Sequence, residues 1–290
     1  MNLIKDYISS IKNPKVEEPM DMIFFRPLAF ILVKPLSYLP LTPNQISFLS
    51  CVAGVWAAYF FSLGSYASFR YAACFYALYA VLDCCDGMIA RLKGTGSPLG
   101  RVVDGVVDYV VGIAVHVGLA IGLLRSGLDV KYNVWGLCIF AGFSTIAHCI
   151  FFDFYLNKYL DFVSGKKDSV RKDIEKYSSA ENSEQKLWHK ISIAIYVLYS
   201  KIQNLFQFQE VSLNSQIYCK ENVKAMRLWG LIGPSAHIAF LVLAAGLFKP
   251  MIFFFYVLVF GNIWFLFVIF FQSQINKKVM RASPAYSSIL

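Results

Sequence analysis

The sequence predicts an all-α, polytopic membrane protein in which six transmembrane helices follow an amphipathic helix at the membrane interface. Hydrophobic residues make up 57% of the 290-residue chain, which exceeds their usual share in soluble domains. Mean hydropathy is +0.54, and charged residues account for only 16% of the chain. The apolar residues are gathered into runs long enough to cross a bilayer, as in a bundle of membrane-spanning helices.

The first segment, residues 1–43, combines a polar N-terminus with the interfacial helix. Residues 20–39 carry apolar side chains that are interrupted by basic residues and prolines. Such a mixture favours a helix that lies along the membrane surface with its basic residues at headgroup level. Thr42 is suited to cap the next helix, and Pro43 is suited to its first position.

Six apolar runs follow, and each can cross a hydrocarbon core of ~30 Å at ~1.5 Å per residue. We place the spans at residues 44–66, 68–91, 100–124, 132–155, 227–247 and 250–273. The first four spans form one predicted segment, residues 44–155. The last two spans form another segment with the C-terminal tail, residues 227–290.

Residues 156–226 interrupt this pattern and are predicted to be a cytoplasmic insert. Within it, residues 186–208 place apolar side chains at a spacing typical of an amphipathic helix on the membrane surface. The alternative is a seventh span, and Lys186, Lys190 and Lys201 count against it because they would lie in hydrocarbon.

The formal net charge of +9 reflects membrane orientation rather than nucleic-acid binding, because the basic residues lie mostly beside the spans. Arg91, Lys93 and Arg101 flank the loop between the second and third spans. We therefore expect this loop and both chain ends to be cytoplasmic. The seven cysteines include no CxxC pair, so neither a zinc site nor a disulfide framework is expected.

Four aspartates at the facing ends of the second and third spans form the candidate site. The stretch reads Asp83-x2-Asp86-Gly87-x2-Ala90-Arg91-x8-Gly100-x3-Asp104-x3-Asp108. A charge in hydrocarbon costs roughly 2.5–3.5 kcal/mol per residue, so four carboxylates there need to be neutralised. Two divalent cations, Mg²⁺ or Mn²⁺, would do so, since carboxylate oxygens are hard ligands and a metal pair can clamp a phosphate.

Helical geometry brings these residues together. At 100° per residue, the five motif residues from Asp83 to Arg91 share one helix face, and the three from Gly100 to Asp108 recur every four positions on the next helix. An antiparallel hairpin would turn the two faces toward each other just inside the cytoplasmic side of the membrane. The small motif residues would let a nucleotide approach the backbone, and Arg91 could neutralise a phosphate.

This pattern resembles the signature of the class I CDP-alcohol phosphotransferases, also called CDP-alcohol phosphatidyltransferases, and every fixed position of that signature is met. Pro43-Asn44-Gln45-Ile46-Ser47 is similar to the family's Pro-Asn-x-Ile-Ser/Thr element. The resemblance extends over roughly residues 20–155. It implies an enzyme that transfers a phosphoryl-linked group from a CDP-alcohol to the hydroxyl of a second alcohol and releases CMP.

The resemblance also implies a role for each matching residue. Asp83, Asp86, Asp104 and Asp108 would hold two metal ions, and Asp108 would also act as the general base on the acceptor hydroxyl. The residues implied for CDP binding are Asp83, Gly87, Ala90, Arg91, Gly100, Asn44 and Ser47. From depth alone, Lys224 and Arg227 are candidates for binding a phosphate on the acceptor.

We therefore expect a membrane enzyme of phospholipid synthesis whose donor is CDP-diacylglycerol. One alternative is a soluble CDP-alcohol donor with a lipid or polyol-phosphate acceptor. A non-enzymatic alternative is a transporter with an acidic pathway, but the acids cluster in one hairpin at one membrane face, which favours the enzyme. The expected partners are membrane lipid, donor and acceptor, with a homodimer left open and no nucleic acid; the acceptor alcohol is not identified by the sequence.

Overall fold

The computed structural model of this chain describes residues 3–96, 98–128, 133–165 and 215–282. Over these ranges the chain is built from helices and contains no strand. The elements are α1 (Leu3–Ser10), a π-helical turn (Asp21–Phe25), α2 (Arg26–Ser37), α3 (Pro43–Ser62), α4 (Tyr66–Lys93), α5 (Pro98–Arg125), α6 (Val134–Ser164), α7 (Ser215–Trp229), α8 (Pro234–Gly246), α9 (Met251–Phe254), a second π-helical turn (Phe255–Gly261) and α10 (Asn262–Arg281).

Six helical stretches of the described chain have the length and apolar composition needed to cross a membrane. They are Pro43–Ser62, Tyr66–Lys93, Asp104–Arg125, Val134–Ser164, Ser215–Gly246 and Met251–Arg281. The predicted all-α fold with six spans is therefore confirmed. The predicted surface helix at 186–208 and its alternative, a seventh span, lie outside the described residues.

The fourth and fifth spans are longer than the hydropathy pattern predicted. Helix α6 continues to Ser164, and α7 already begins at Ser215, so both helices extend into the range assigned to the insert. Hydropathy does not detect these ends because they are polar. The division of the chain into the predicted segments remains an expectation.

Helix α2, the predicted interfacial helix, has one buried face and one exposed apolar face. Ala29 and Val33 are fully buried against the bundle, whereas Leu28 and Ile31 are 52% and 67% exposed. An exposed apolar face on a helix that precedes the spans suits the acyl boundary of a bilayer. The Lys93 ammonium at the end of α4 donates to the carbonyl of Leu39, at 2.9 Å, and so ties the chain that follows α2 to the site hairpin.

The start of α3 is fixed by the predicted cap. The Thr42 hydroxyl accepts a hydrogen bond from the Gln45 backbone, and the Gln45 side chain accepts one from the Thr42 backbone. This capping box satisfies two backbone groups that the first turn of a helix leaves unpaired. The cap sets where α3 begins and hence which of its residues face α4.

Small residues allow α3 and α5 to pack closely. A Cβ added to Gly118 would collide with the carbonyl of Ala58, and one added to Gly122 would collide with the carbonyl of Phe61. Glycines four residues apart form a flat strip on α5 that accepts the backbone of a neighbouring helix, a common device in membrane bundles. This packing fixes the height of α5, and with it the height of Asp104 and Asp108.

Candidate metal centre and substrate cavity

The antiparallel helices α4 and α5 bring three of the motif aspartates together. One carboxylate oxygen from each of Asp83, Asp104 and Asp108 can be chosen so that all three lie within 4.8 Å of one another. Helix α4 ends at Gly94, which adopts φ +65°, so the chain reverses direction within a short connection. The left-handed conformation of Gly94 is one that residues with a Cβ rarely adopt.

The chemistry of these three residues fits a divalent cation. Asp83 Oδ1 and Asp104 Oδ1 are buried and have no hydrogen-bond partner. A buried carboxylate oxygen left unpaired is destabilising, and a bound cation would compensate it. All the donors are oxygen atoms, which suit hard cations such as Mg²⁺, Mn²⁺ or Ca²⁺ better than soft ones.

Asp86, the fourth predicted ligand, lies outside the group of three. It is buried and lines the same cavity, and its Oδ2 accepts a hydrogen bond from the Ser47 hydroxyl of α3. Ser47 also donates to the carbonyl of Pro43, at 3.2 Å. The position of the Asp86 carboxylate is therefore set by a neighbouring helix. Ser47, which the resemblance implied for CDP binding, contacts a motif aspartate.

Asp108 is held by a tyrosine that the sequence did not point to. The Tyr79 hydroxyl donates to Asp108 Oδ1 at 2.6 Å. Tyr79 lies four residues before Asp83, so both occupy the same face of α4, which is the one signal that could have identified it. Its ring stacks on Tyr76 with the centroids 5.5 Å apart. This bond leaves Asp108 Oδ2 for other contacts.

The aspartates open into a cavity of about 860 Å³. Its wall includes Gly87, Ala90 and Arg91, three residues that the resemblance implied for CDP binding. Asn44 and Ser47 lie outside the lining that the described residues form. Gly100 is on α5 but falls among residues whose surroundings are outside the described part of the structure.

Arg91 is folded back over the small residues of its own helix. Its Nε donates to the carbonyl of Ser10, at the end of α1. A Cβ added to Gly87 would lie 3.3 Å from Arg91 Nη2, so Gly87 leaves room for the guanidinium. The arginine thus joins the motif helix to the N-terminal segment.

The cavity also has an apolar arm between α5 and α6. Its lining there includes Ile113, Val117, Ile139 and Phe143, which are 60%, 43%, 51% and 68% exposed. Because these side chains both line the cavity and face outward between two membrane-spanning helices, the arm is open toward the lipid. An acyl chain fits such a surface, since it loses no hydrogen bonds on entering.

The N-terminal segment forms another wall of the cavity. Arg26 Nη2 pairs with Glu17 Oε2 at 2.7 Å and with Asp21 Oδ2 at 3.3 Å. Burial by itself lowers the pKa of the Arg26 guanidinium, but the carboxylates of Glu17 and Asp21 outweigh it and raise the pKa above its ordinary value. Arg26 therefore keeps its positive charge inside the cavity wall.

Glu18 joins this wall to helix α8. Its Oε2 accepts from the Ser235 backbone at 3.0 Å, and the Ser235 hydroxyl donates to Asp21 Oδ1 at 2.5 Å. Burial raises the pKa of the Glu18 carboxyl well above its usual range, and the nearby carboxylates of Asp21 and Asp153 raise it further. The contact with Ser235 satisfies a backbone group in the first turn of α8 that helical bonding leaves unpaired.

Lys224 and Arg227, the predicted acceptor-binding residues, are not brought to the aspartates. Both are exposed on α7, and Arg227 Nε donates weakly to the carbonyl of Lys15, at 3.5 Å. The inward face of α7 is occupied by other residues, among them Met226 and Trp229. The basic residues that do line the cavity are Lys12, Arg26 and Arg91.

Comparison with known proteins agrees with this geometry. A family model described as CDP-alcohol phosphatidyltransferase matches residues 40–158. Archaetidylinositol phosphate synthase from Pyrococcus horikoshii is 30% identical over 109 residues, which are 38% of this chain and 52% of that protein. The chain thus matches about half the length of this curated relative. The match confirms, over residues 40–158, the resemblance predicted from the aspartate motif.

Proposed function

We propose that this chain is a divalent-metal-dependent membrane transferase that moves a phosphoryl-linked group from a CDP-alcohol to the hydroxyl of an acceptor alcohol and releases CMP. The observation that carries the proposal is the group formed by Asp83, Asp104 and Asp108 at the wall of a large cavity, with two buried oxygens unpaired. A transporter pathway gives no reason for carboxylates to converge in this way within a domain of this family.

We assign each residue of the site a separate role in the proposed reaction. Asp83, Asp86, Asp104 and Asp108 would hold two ions, Mg²⁺ or Mn²⁺, which when bound would neutralise the diphosphate of the donor. Gly87, Ala90 and Arg91 would receive the CDP part, because they line the cavity beside the aspartates.

Oδ2 of Asp108, the oxygen that Tyr79 does not contact, would take the proton of the acceptor hydroxyl. The acceptor oxygen then forms a bond to the phosphorus next to the donor's alcohol. The bond from that phosphorus to the bridging oxygen breaks, and CMP leaves with that oxygen. Because Tyr79 donates to Oδ1 of Asp108, the other oxygen is presented to the acceptor.

A lipid is the donor in this proposal, with CDP-diacylglycerol the first candidate. The apolar arm between α5 and α6 gives an acyl chain a path from the membrane to the cavity. The name of the archaeal relative, archaetidylinositol phosphate synthase, supports a phospholipid product. A soluble CDP-alcohol with a lipid acceptor would use the same arm, and is the second candidate.

The site would face the cytoplasm. Arg91 and Lys93 at the end of α4, and Lys277, Lys278 and Arg281 at the end of α10, are the basic residues expected on the inner side of a membrane. An active site at this depth could receive CDP-linked and other water-soluble substrates from the cytoplasm.

The test is release of CMP by the purified protein. It should release CMP from CDP-diacylglycerol when Mg²⁺ or Mn²⁺ and a panel of alcohols are supplied, and Asp104→Asn should abolish release. Soluble CDP-choline with diacylglycerol is the matched second assay. Release from neither donor with any acceptor, or full release in excess EDTA, would refute the proposed function.

A further inference from the structure

A second polar patch lies in the wall of the cavity, deeper in the bundle than the aspartates. His116 follows Asp108 by eight residues on α5, which corresponds to about 12 Å along the helix at ~1.5 Å per residue. Both residues line the cavity, which at this depth opens toward the lipid through the apolar arm between α5 and α6. A polar group here needs a partner from the protein or from a ligand, because hydrocarbon offers none.

The ring of His116 carries an unpaired hydrogen-bond acceptor. Its Nδ1 lies 2.8 Å from the carbonyl oxygen of Gly112. A carbonyl can only accept, so Nδ1 carries the proton, and Nε2 of the neutral ring keeps a lone pair. Nε2 is buried and has no hydrogen-bond partner among the described residues. The neighbouring ring carbon, Cδ2, lies 3.8 Å from where a Cβ on Gly142 would be, so this edge of the ring faces α6.

Thr145 adds a hydroxyl to the same patch. It follows Gly142 by three residues, hence lies on the same face of α6, and it lines the cavity. A threonine in a helix commonly donates to the carbonyl one turn earlier, but Oγ1 of Thr145 is buried and makes no hydrogen bond within the part of the chain that the structure describes. A buried hydroxyl left unpaired is destabilising, so Thr145 and His116 both call for a partner that the protein does not supply.

His237 of α8 is a third member of the patch. It is 4% exposed, lines the cavity, and its Nε2 lies 3.3 Å from Nδ1 of His148. Its other nitrogen, Nδ1, is buried and unpaired in the described ranges. The ring of His116 contacts that of Phe253, and the ring of His237 contacts that of Tyr256, with centroids 5.9 and 5.4 Å apart. Since Phe253 and Tyr256 are three residues apart, the two histidines lie against the same stretch of chain.

We propose that His116 and Thr145, with His237 beside them, bind a hydroxyl group carried on a chain of the lipid substrate, close to the carboxyl end of that chain. This inference rests on the proposed function, in which a lipid enters through the apolar arm, and it names a chemical feature of that lipid. A hydroxyl can donate to the lone pair of His116 and accept from the hydroxyl of Thr145. An ester carbonyl or an ionised phosphate only accepts, so either would leave His116 unpaired. The depth below the aspartates suits the first carbons of an acyl chain, because the glycerol backbone lies between.

The test compares the binding of two lipids to the full chain by native mass spectrometry in detergent. Mg²⁺ is present and acceptor alcohol is left out, so that no transfer takes place. The probes are CDP-diacylglycerol with two β-hydroxymyristoyl chains and the same lipid with two myristoyl chains. The hydroxylated lipid should bind roughly three- to tenfold more tightly, because it forms hydrogen bonds that the plain chain cannot form.

Two variants test whether the patch is what distinguishes the lipids. Thr145→Val keeps the shape of the side chain and removes the hydroxyl, and His116→Phe keeps a ring and removes the acceptor. In each, the ratio of the two affinities should fall to about one, and this ratio corrects for any general loss of binding. Ser144→Ala is the matched control, because its hydroxyl accepts from Asn262 and lies outside the described cavity lining. A preference that survives both variants, or that Ser144→Ala also removes, would overturn the site.

Further arms separate the source of the hydroxyl and the proposed function. The same two chains are also supplied as diacylglycerol: a preference in the CDP-linked form places the hydroxyl on the donor, and a preference in diacylglycerol alone places it on a lipid acceptor. Equal binding of plain and hydroxylated chains in both forms would leave the patch to buried water and overturn the proposal. A preference without CMP release would uphold the site and count against the transfer, whereas CMP release without a preference would uphold the transfer and overturn the site.

Discussion

The hydrogen bond from Tyr79 to Asp108 provides a sharp test of how the proposed base, Asp108, is positioned. Tyr79→Phe removes one oxygen atom and keeps the ring, which is 3% exposed and stacked on Tyr76. The bond that is lost joins a hydroxyl to a carboxylate at 2.6 Å. Such bonds to charged groups contribute roughly 1.5–3 kcal/mol, so kcat should fall by about 10- to 150-fold if the bond holds Asp108 in its reactive orientation.

The apparent KM for the CDP donor should change little, because the side chains of Asp83 and Asp104 are not bonded to Tyr79. Tyr76→Phe is the matched control. Tyr76 is also buried, at 6% exposed, and the described hydrogen bonds do not join it to Asp108. The measurement is steady-state CMP release for both variants. Activity of Tyr79→Phe within about twofold of wild type, or equal loss in Tyr76→Phe, would refute a positioning role for this bond.

The remaining predictions concern the metal, Asp86 and the bundle. Excess EDTA should abolish CMP release and added Mg²⁺ or Mn²⁺ should restore it; activity that survives chelation would refute metal dependence. Ser47→Ala removes the hydrogen bond to Asp86, so the Mg²⁺ concentration needed for half-maximal activity should rise several-fold. An unchanged Mg²⁺ titration would assign Ser47 a packing role only. Gly122→Ala should lower the melting temperature, because the added Cβ would collide with the carbonyl of Phe61. Gly246→Ala is the control and should leave the melting temperature unchanged, because the space around Gly246 is open. Equal melting temperatures of the two variants would contradict the close packing of α3 against α5.

The sequence was sufficient for the six spans and the aspartate hairpin, for identifiable physical reasons. The length of an apolar run that crosses a bilayer is set by the thickness of the hydrocarbon core, which is ~30 Å in a typical membrane. The spacing of Asp83, Asp104 and Asp108 follows the helical repeat, and the short connection at Gly94 requires the two helices to be antiparallel neighbours. These features are local, so they can be predicted without knowing how the rest of the bundle packs.

The basic residues of the cavity could not be predicted in the same way. Their depth in the membrane makes Lys224 and Arg227 candidates for the acceptor site. The direction in which they face depends on the rotation of α7, and the packing of Trp229 and Met226 sets this rotation. The hydropathy pattern begins this span only at Arg227, so the polar turns that orient α7 lie outside the predicted span. The sequence predicts a headgroup contact for Arg26, because nothing local shows that Glu17 and Asp21 pair with it and bury it.

The wall of the cavity is built from different parts of the chain. The aspartates and the small residues of the proposed CDP site lie within residues 40–158, the range that matches the family model. Lys12, Glu18 and Arg26 precede that range and Ser235 follows it, yet they build or brace another wall of the same cavity. The matched range therefore holds the aspartates, but not these other parts of the cavity wall. For this reason the acceptor of a relative that aligns over 109 residues does not transfer to this chain.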